Sequence, residues 1–189
     1  MKIQRAIFVT LVGMSQWVVS GETQMDAIEK IKANSFEQRE EGIAAITQQR
    51  VETVRSLIGV LEGSFPAESR RAAAKLLGEY RATNAVDALV KNLDLDVQGR
   101  VLKTLYKEDD IRAVSYALRS IGKPAIPAVL AKITQTDNSA VIKRCVRICL
   151  DIEGHDAAAI MVQQYSEMQT AAEAKQRLKQ AIDVMEKEK

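Results

Sequence analysis

Cys145 and Cys149 stand one helical turn apart, a spacing that puts two thiols on one helix face. A disulfide between them would sit at the outer limit of permitted separation and distort the helix, so they read as buried, inert thiols. His155 lies between Gly154 and Asp156. A general base needs a nucleophile and an orienting acid within reach, and a histidine beside one aspartate supplies neither, so it reads as an exposed turn residue. With a single histidine in the chain, a histidine-built metal site has too few ligands. Arg71, Arg112 and Lys143 are spaced by 41 and 31 residues. Stacked repeats would bring them into a row able to dock an acidic partner, although acidic neighbours such as Glu68, Glu108 and Asp110 make ordinary solvated charge the plainer reading. No paired carboxylates, Gly-rich phosphate cradle or nucleophile with its base appears. No catalytic residue, cofactor or metal is expected.

These residues sit in a chain of 189, with 27 Lys plus Arg against 25 Asp plus Glu, 47% apolar and 4% aromatic residues. That composition supports a buried core and excludes a disordered, collagen-like or disulfide-stapled chain. Charge so near balance gives no net pull toward nucleic acid or an anionic membrane. The first 21 residues differ from the rest. Lys2 and Arg5 precede an apolar run from Ala6 to Val19, too short to cross a bilayer as a helix, and Val19-Ser20-Gly21 suits signal peptidase. Cleavage after Gly21, with Ser20 as the fallback, predicts an exported protein, periplasmic or extracellular, with no stable membrane insertion once the leader is gone. No cysteine stands at the junction to support a lipoprotein. Trp17, the only tryptophan, would leave with the leader.

Aligned apolar residues show a repeat of about 31 residues. Ile46, Leu77, Leu118 and Cys149 form one column, with Ile43, Ala74, Ser115 and Val146 a turn earlier. A second set runs Val54, Leu57, Ile58 and Leu61, then Val86, Leu89, Val90 and Leu93, then Ile126, Val129, Leu130 and Ile133, and finally Ala157, Ile160, Met161 and Gln164. Each has the i, i+3, i+4, i+7 spacing of one helix face. Helix pairs are therefore expected over about 35–63, 66–94, 107–134 and 138–165. Val97, Val101, Leu102 and Leu105 predict an inserted helix over 97–106, and Ala174, Leu178, Ala181, Ile182 and Met185 predict a capping helix over 170–187. Gly122 with Pro124, Pro66, Gly154, and Asp137-Asn138-Ser139 supply stops and starts at the boundaries. No period-two stretch is long enough for a strand, so residues 22–189 read as an all-α solenoid of the HEAT/armadillo kind.

The segment Arg70-Arg71-Ala72-Ala73-Ala74-Lys75-Leu76-Leu77-Gly78-Glu79-Tyr80, followed by Ala85-Val86-Asp87-Ala88-Leu89, resembles the HEAT-like repeat of the phycobilisome-lyase type. Leu118 to Val129, through Gly122-Lys123-Pro124, resembles the second half of that motif. The arginine expected early in the first helix stands at Arg39 and Arg70 and is replaced by Ile111 and Ile142. The resemblance implies an α-solenoid, most often a surface for other proteins, with only some members handling chromophores.

In such a stack the second helices line the inner face. Arg55, Asp87, Lys91, Lys132 and Gln163 are its expected outward positions, among small residues such as Gly59, Ala88, Ala128, Ala131 and Ala159. A shallow groove of that make-up suits a peptide or helix of another protein. The expected function is an exported scaffold that binds protein and not nucleic acid. The alternatives are a ligand carrier akin to the chromophore lyases, against which export and the scarcity of aromatics count, and a structural subunit of an envelope assembly.

Overall fold

The computed structural model describes residues 36–98 and 112–187, together with positions 26, 29, 30 and 32. The expected leader, and Val101, Leu102 and Leu105 of the expected inserted helix, lie outside the described residues. Among the described residues the chain is all helical, a helical-repeat solenoid. The helices are α1 Phe36–Glu62, α2 Ala67–Glu79, α3 Val86–Lys91, α4 Asp94–Gln98, α5 Ala113–Ile121, α6 Ile126–Gln135, α7 Ser139–Glu153, α8 His155–Met168 and α9 Ala172–Glu186. The chain divides into two compact units, 1–51 and 52–189.

In the first unit, residues 36–51 belong to α1. The expected helix pair over 35–63 is instead one continuous helix of 27 residues. The reason is local: between Gly42 and Gly59 no glycine or proline interrupts the helix formers, and Thr47-Gln48-Gln49-Arg50 contains nothing that forces a turn. Without a returning helix, Ile43 is 48% exposed and Ile46 only half-buried, so the first members of both columns are not core residues.

The second unit carries the repeat. α2 packs on α5 and α5 on α7, forming one layer, while α3 packs on α6 and α6 on α9 in the other. Leu77, Leu118 and Cys149 are fully buried, as are Ala74 and Val146, and Ser115 is buried beside them. Val86, Leu89, Val90 and Leu93 and the matching Ile126, Val129, Leu130 and Ile133 are buried too. The α2–α5 approach is close because small residues line it: a methyl group on Gly78 would stand 2.6 Å from Ala117 Cα.

The fourth pair departs from the expected register. On α8 the buried residues are Ala158 and Val162, whereas Ala157 and Gln164 are exposed and Ile160 is 58% exposed. The neighbour of α6 in the second layer is α9, which packs on α6, α7 and α8. Its apolar stripe of Ala174, Leu178, Ala181 and Met185 is longer and more completely buried than any on α8. Arg177 pins it further, donating from Nη1 to the Thr134 carbonyl at 2.6 Å and from Nε to Asp137 Oδ1 at 2.8 Å. The C-terminal helix is thus a cap in the expected place, but it displaces α8 from the position that the 31-residue spacing assigns to it.

Helix ends follow from backbone chemistry. Asn138 Oδ1 accepts from the Ala140 amide at 3.0 Å and caps α7. α5 and α7 end at Gly122 and Gly154, both with φ of 79°. Arg81, which the repeat spacing pairs with Gly122, takes φ of 47° after α2. No atom lies within 4 Å of where a Gly154 Cβ would be built, so a side chain there meets only backbone strain. Gly154→Ala should therefore cost about 1–3 kcal/mol and lower Tm by roughly 3–8 °C. An unchanged melting curve would show that this glycine's conformation is not required.

Candidate functional site

Two thiols, the histidine and a buried aspartate are built into the packing of the stack. Cys145 and Cys149 are fully buried and unpaired. Burial pushes both thiols up to about 12, helped at Cys145 by Cys149 and at Cys149 by Glu153. A thiol held that high is almost wholly protonated near neutrality and is a poor nucleophile. Native protein should leave both unreacted with a disulfide dye, and denatured protein should release two equivalents; rapid native labelling would contradict their burial.

His155 is not the exposed turn residue expected. Half-buried at the start of α8, it donates from Nε2 to the Met185 carbonyl at 3.0 Å, tying α8 to the end of α9. Its Nδ1 lies 3.6 Å from Asp156 Oδ1. No nucleophile joins this pair in the described contacts, so the ring acts as a tether. No group of three potential metal ligands occurs among the described residues, and no described helix is long and apolar enough to cross a membrane. A shallow cleft of about 240 Å³ lies between α9 and the α6–α7 turn, lined by Asp137, Glu173, Gln176, Arg177 and Gln180. Its central cation and carboxylate already bond to each other, which leaves little to recognise a ligand.

The expected partner-binding residues separate into groups. Asp87 and Lys91 are exposed one turn apart on α3, with Lys91 Nζ 3.4 Å from Glu62 Oε1. Lys132 is half-buried on the adjacent α6, so these three share the second layer. Gln163 is exposed but on the displaced α8, where its amide reaches Glu167 at 3.4 Å, and Arg55 is exposed on α1. Of the expected cationic row, Lys143 is exposed on α7 and Arg112 half-buried before α5. Arg71 is half-buried and donates from Nη2 to the Leu95 carbonyl at 3.0 Å. That arginine holds α4 and is not a free docking group.

The polar residues that matter most here were invisible to local patterns. Asp96, on α4, is 1% exposed. Its Oδ1 accepts from the Val114 amide at 3.1 Å, and its Oδ2 from the Ser115 amide at 2.8 Å and the Ser115 hydroxyl at 2.5 Å. It thereby caps α5 from a distant part of the chain. Burial raises its carboxyl above the ordinary 3.8, opposed by these hydrogen bonds and by the Arg144 charge. Asn92, also buried, accepts from Arg70 Nη2 and donates to the Ala88 carbonyl at 2.8 Å, while Arg70 Nε reaches the Leu61 carbonyl at 2.9 Å. Arg70 so joins α1, α2 and the end of α3. Where the repeat's arginine is replaced at Ile142, the side chain is core, 1% exposed.

This two-layer arrangement of α2 with α3 coincides with a recognisable repeat. Residues 69–94 match the model of the PBS lyase HEAT-like repeat. The match spans the first complete helix pair of the second unit, and the pairs that follow extend its packing. No curated protein and no solved structure matches the chain. Residues 69–94 are thus similar to a HEAT-like repeat, and the repeat alone names neither ligand nor partner.

Proposed function

We propose that the protein is an exported interaction scaffold that binds another protein through its HEAT-like stack and has no catalytic activity of its own. The observation that carries this reading is the stack itself: consecutive pairs share one apolar core, and at its surface Arg119 of one pair meets Asp151 of the next at 3.1 Å. Stacked repeats of this kind create extended surfaces suited to polypeptide partners. Among the described residues, both cysteines lie in the core, the histidine ties two helices together and the Asp96 carboxylate caps a third.

Export rests on the basic start and apolar run of residues 1–21. Protein isolated from its native source should begin at Glu22 and lack tryptophan emission, since Trp17 is the chain's only tryptophan. Tryptophan fluorescence from the native protein would sink this part of the proposal. The binding role is tested by cross-linking the tagged, full-length protein in its source cells and identifying what it captures. A single partner recovered at fixed stoichiometry, and lost when surface charges are reversed, supports the scaffold. Recovery of only the protein itself would not.

A further inference from the structure

We infer that the outer face of α2 is a self-association site: it receives residues 36–51 of a second copy of this chain, and the exchange is reciprocal. The register of the repeat carries the argument. Ala72, Leu76 and Tyr80 share one face of α2, and their equivalents 41 residues on are Ala113, Ala117 and Ile121 of α5. On α5 that face packs against α2, where Ala117 meets Gly78, and all three residues are buried. Ile148, the equivalent of Leu76 on α7, is buried as well. On α2 the same face meets water: Leu76 is 41% and Tyr80 38% exposed, Ala72 is exposed, and Phe65, in register just before the helix, is 53% exposed. Repeat stacks ordinarily close with a polar outer face. This one is apolar, at the place that a preceding first helix would cover.

The segment with the matching register is residues 36–51. Ile43 and Ile46 stand 31 residues before Ala74 and Leu77, and Ile43 and Val51 are exposed apolar residues in their turn. α1 is unbroken from Phe36 to Glu62, so these residues do not turn back as the first helix of their own pair. The later part of α1 does hold a second-helix place, with Val54 and Leu61 in the core of the stack. A helix pair opened into one long helix leaves an uncovered seam and the segment that fits it, and a second copy related by a two-fold axis supplies both at once. Helices joined by short turns run antiparallel. A two-fold axis across α1 therefore lays each 36–51 segment along α2 of the other copy in the direction that the layer requires. The repeat maps the close approach of Gly78 to Ala117 onto Thr47 of one copy and Leu76 of the other, both exposed in the single chain.

The inference is independent of the scaffold reading, because it is tested on the mass of the protein alone. Light scattering and sedimentation of the whole protein should give twice the chain mass at tens of micromolar, falling toward one chain on dilution. A72E sets a charge in the seam and should weaken pairing about tenfold or more, with a melting curve to show that the stack still folds. I160E, at an exposed apolar residue of α8, should leave pairing unchanged. Oxidised T47C/L76C should run as a covalent dimer without reductant, whereas T47C or L76C alone should not; Cys145 and Cys149 are buried and take no part. If A72E unfolds, this cross-link decides alone. One chain mass at every concentration, dissociation by I160E rather than A72E, no bridge, or a bridge closed within one chain would overturn the inference. The last result would mean that residues 36–51 fold back on their own α2.

Discussion

Leu77→Asp is expected to abolish cooperative thermal unfolding of the second unit. Leu77 is fully buried on α2 at the seam with α5. Losing its side chain from the core costs about 2–5 kcal/mol, and a carboxylate in its place adds an uncompensated buried charge. The sum rivals the roughly 5–15 kcal/mol that holds a domain folded. The seam has no slack to admit a water shell, because Gly78 already lets the α2 backbone approach Ala117 to within contact. Failure should spread, since Leu118 on α5 lies in the middle of the layer between α2 and α7 and repeat stability depends on neighbour interfaces. The neighbouring Leu76 is 41% exposed, so Leu76→Asp should shift stability by only about 0.5–1 kcal/mol. Circular dichroism melts of the two variants decide the register: similar curves would show that the face pointing into the stack has been misassigned.

The contrast between those adjacent leucines was legible in the sequence because it depends only on helical spacing. The same reasoning located the buried faces of α3 and α6 and the stops at Gly122 and Gly154. It failed where spacing was equal but the partner differed. Ile43 and Ile46 have the right period, yet α1 runs through the expected turn, since no residue there forces the chain to reverse. Ala157 and Ile160 also have the right period, but α9 covers α6 with a stronger stripe and an arginine clamp, leaving α8 outside. A periodic pattern says which residues want cover and is silent on which helix wins the competition to provide it. The cationic row shows the same limit. Its spacing is real, but Arg71 turns inward to a carbonyl of α4 while Lys143 stays in water, and only the placement of α4 separates the two.

Asp96→Ala should destabilise the stack by about 3 kcal/mol, although no local rule marks this residue as a cap. Arg112 occupies the capping position of α5 and its side chain makes no capping hydrogen bond. The carboxylate that satisfies the Val114 and Ser115 amides arrives from 18 and 19 residues upstream. Alanine would leave both amides and the Ser115 hydroxyl buried without their acceptor, at about 1–3 kcal/mol each. Removing a desolvated acid returns part of that, so the net falls short of the sum. The pH dependence tests the environment separately. Burial raises the folded pKa above 3.8, so between those values the native state binds more protons than the unfolded chain, and stability falls as pH rises through the window. The alanine variant loses that slope. Its deficit relative to wild type should consequently be greatest below about pH 4 and shrink toward neutrality. A deficit that instead grows with pH would mean that the hydrogen bonds and Arg144 outweigh burial, and that Asp96 holds α5 as a stabilised anion.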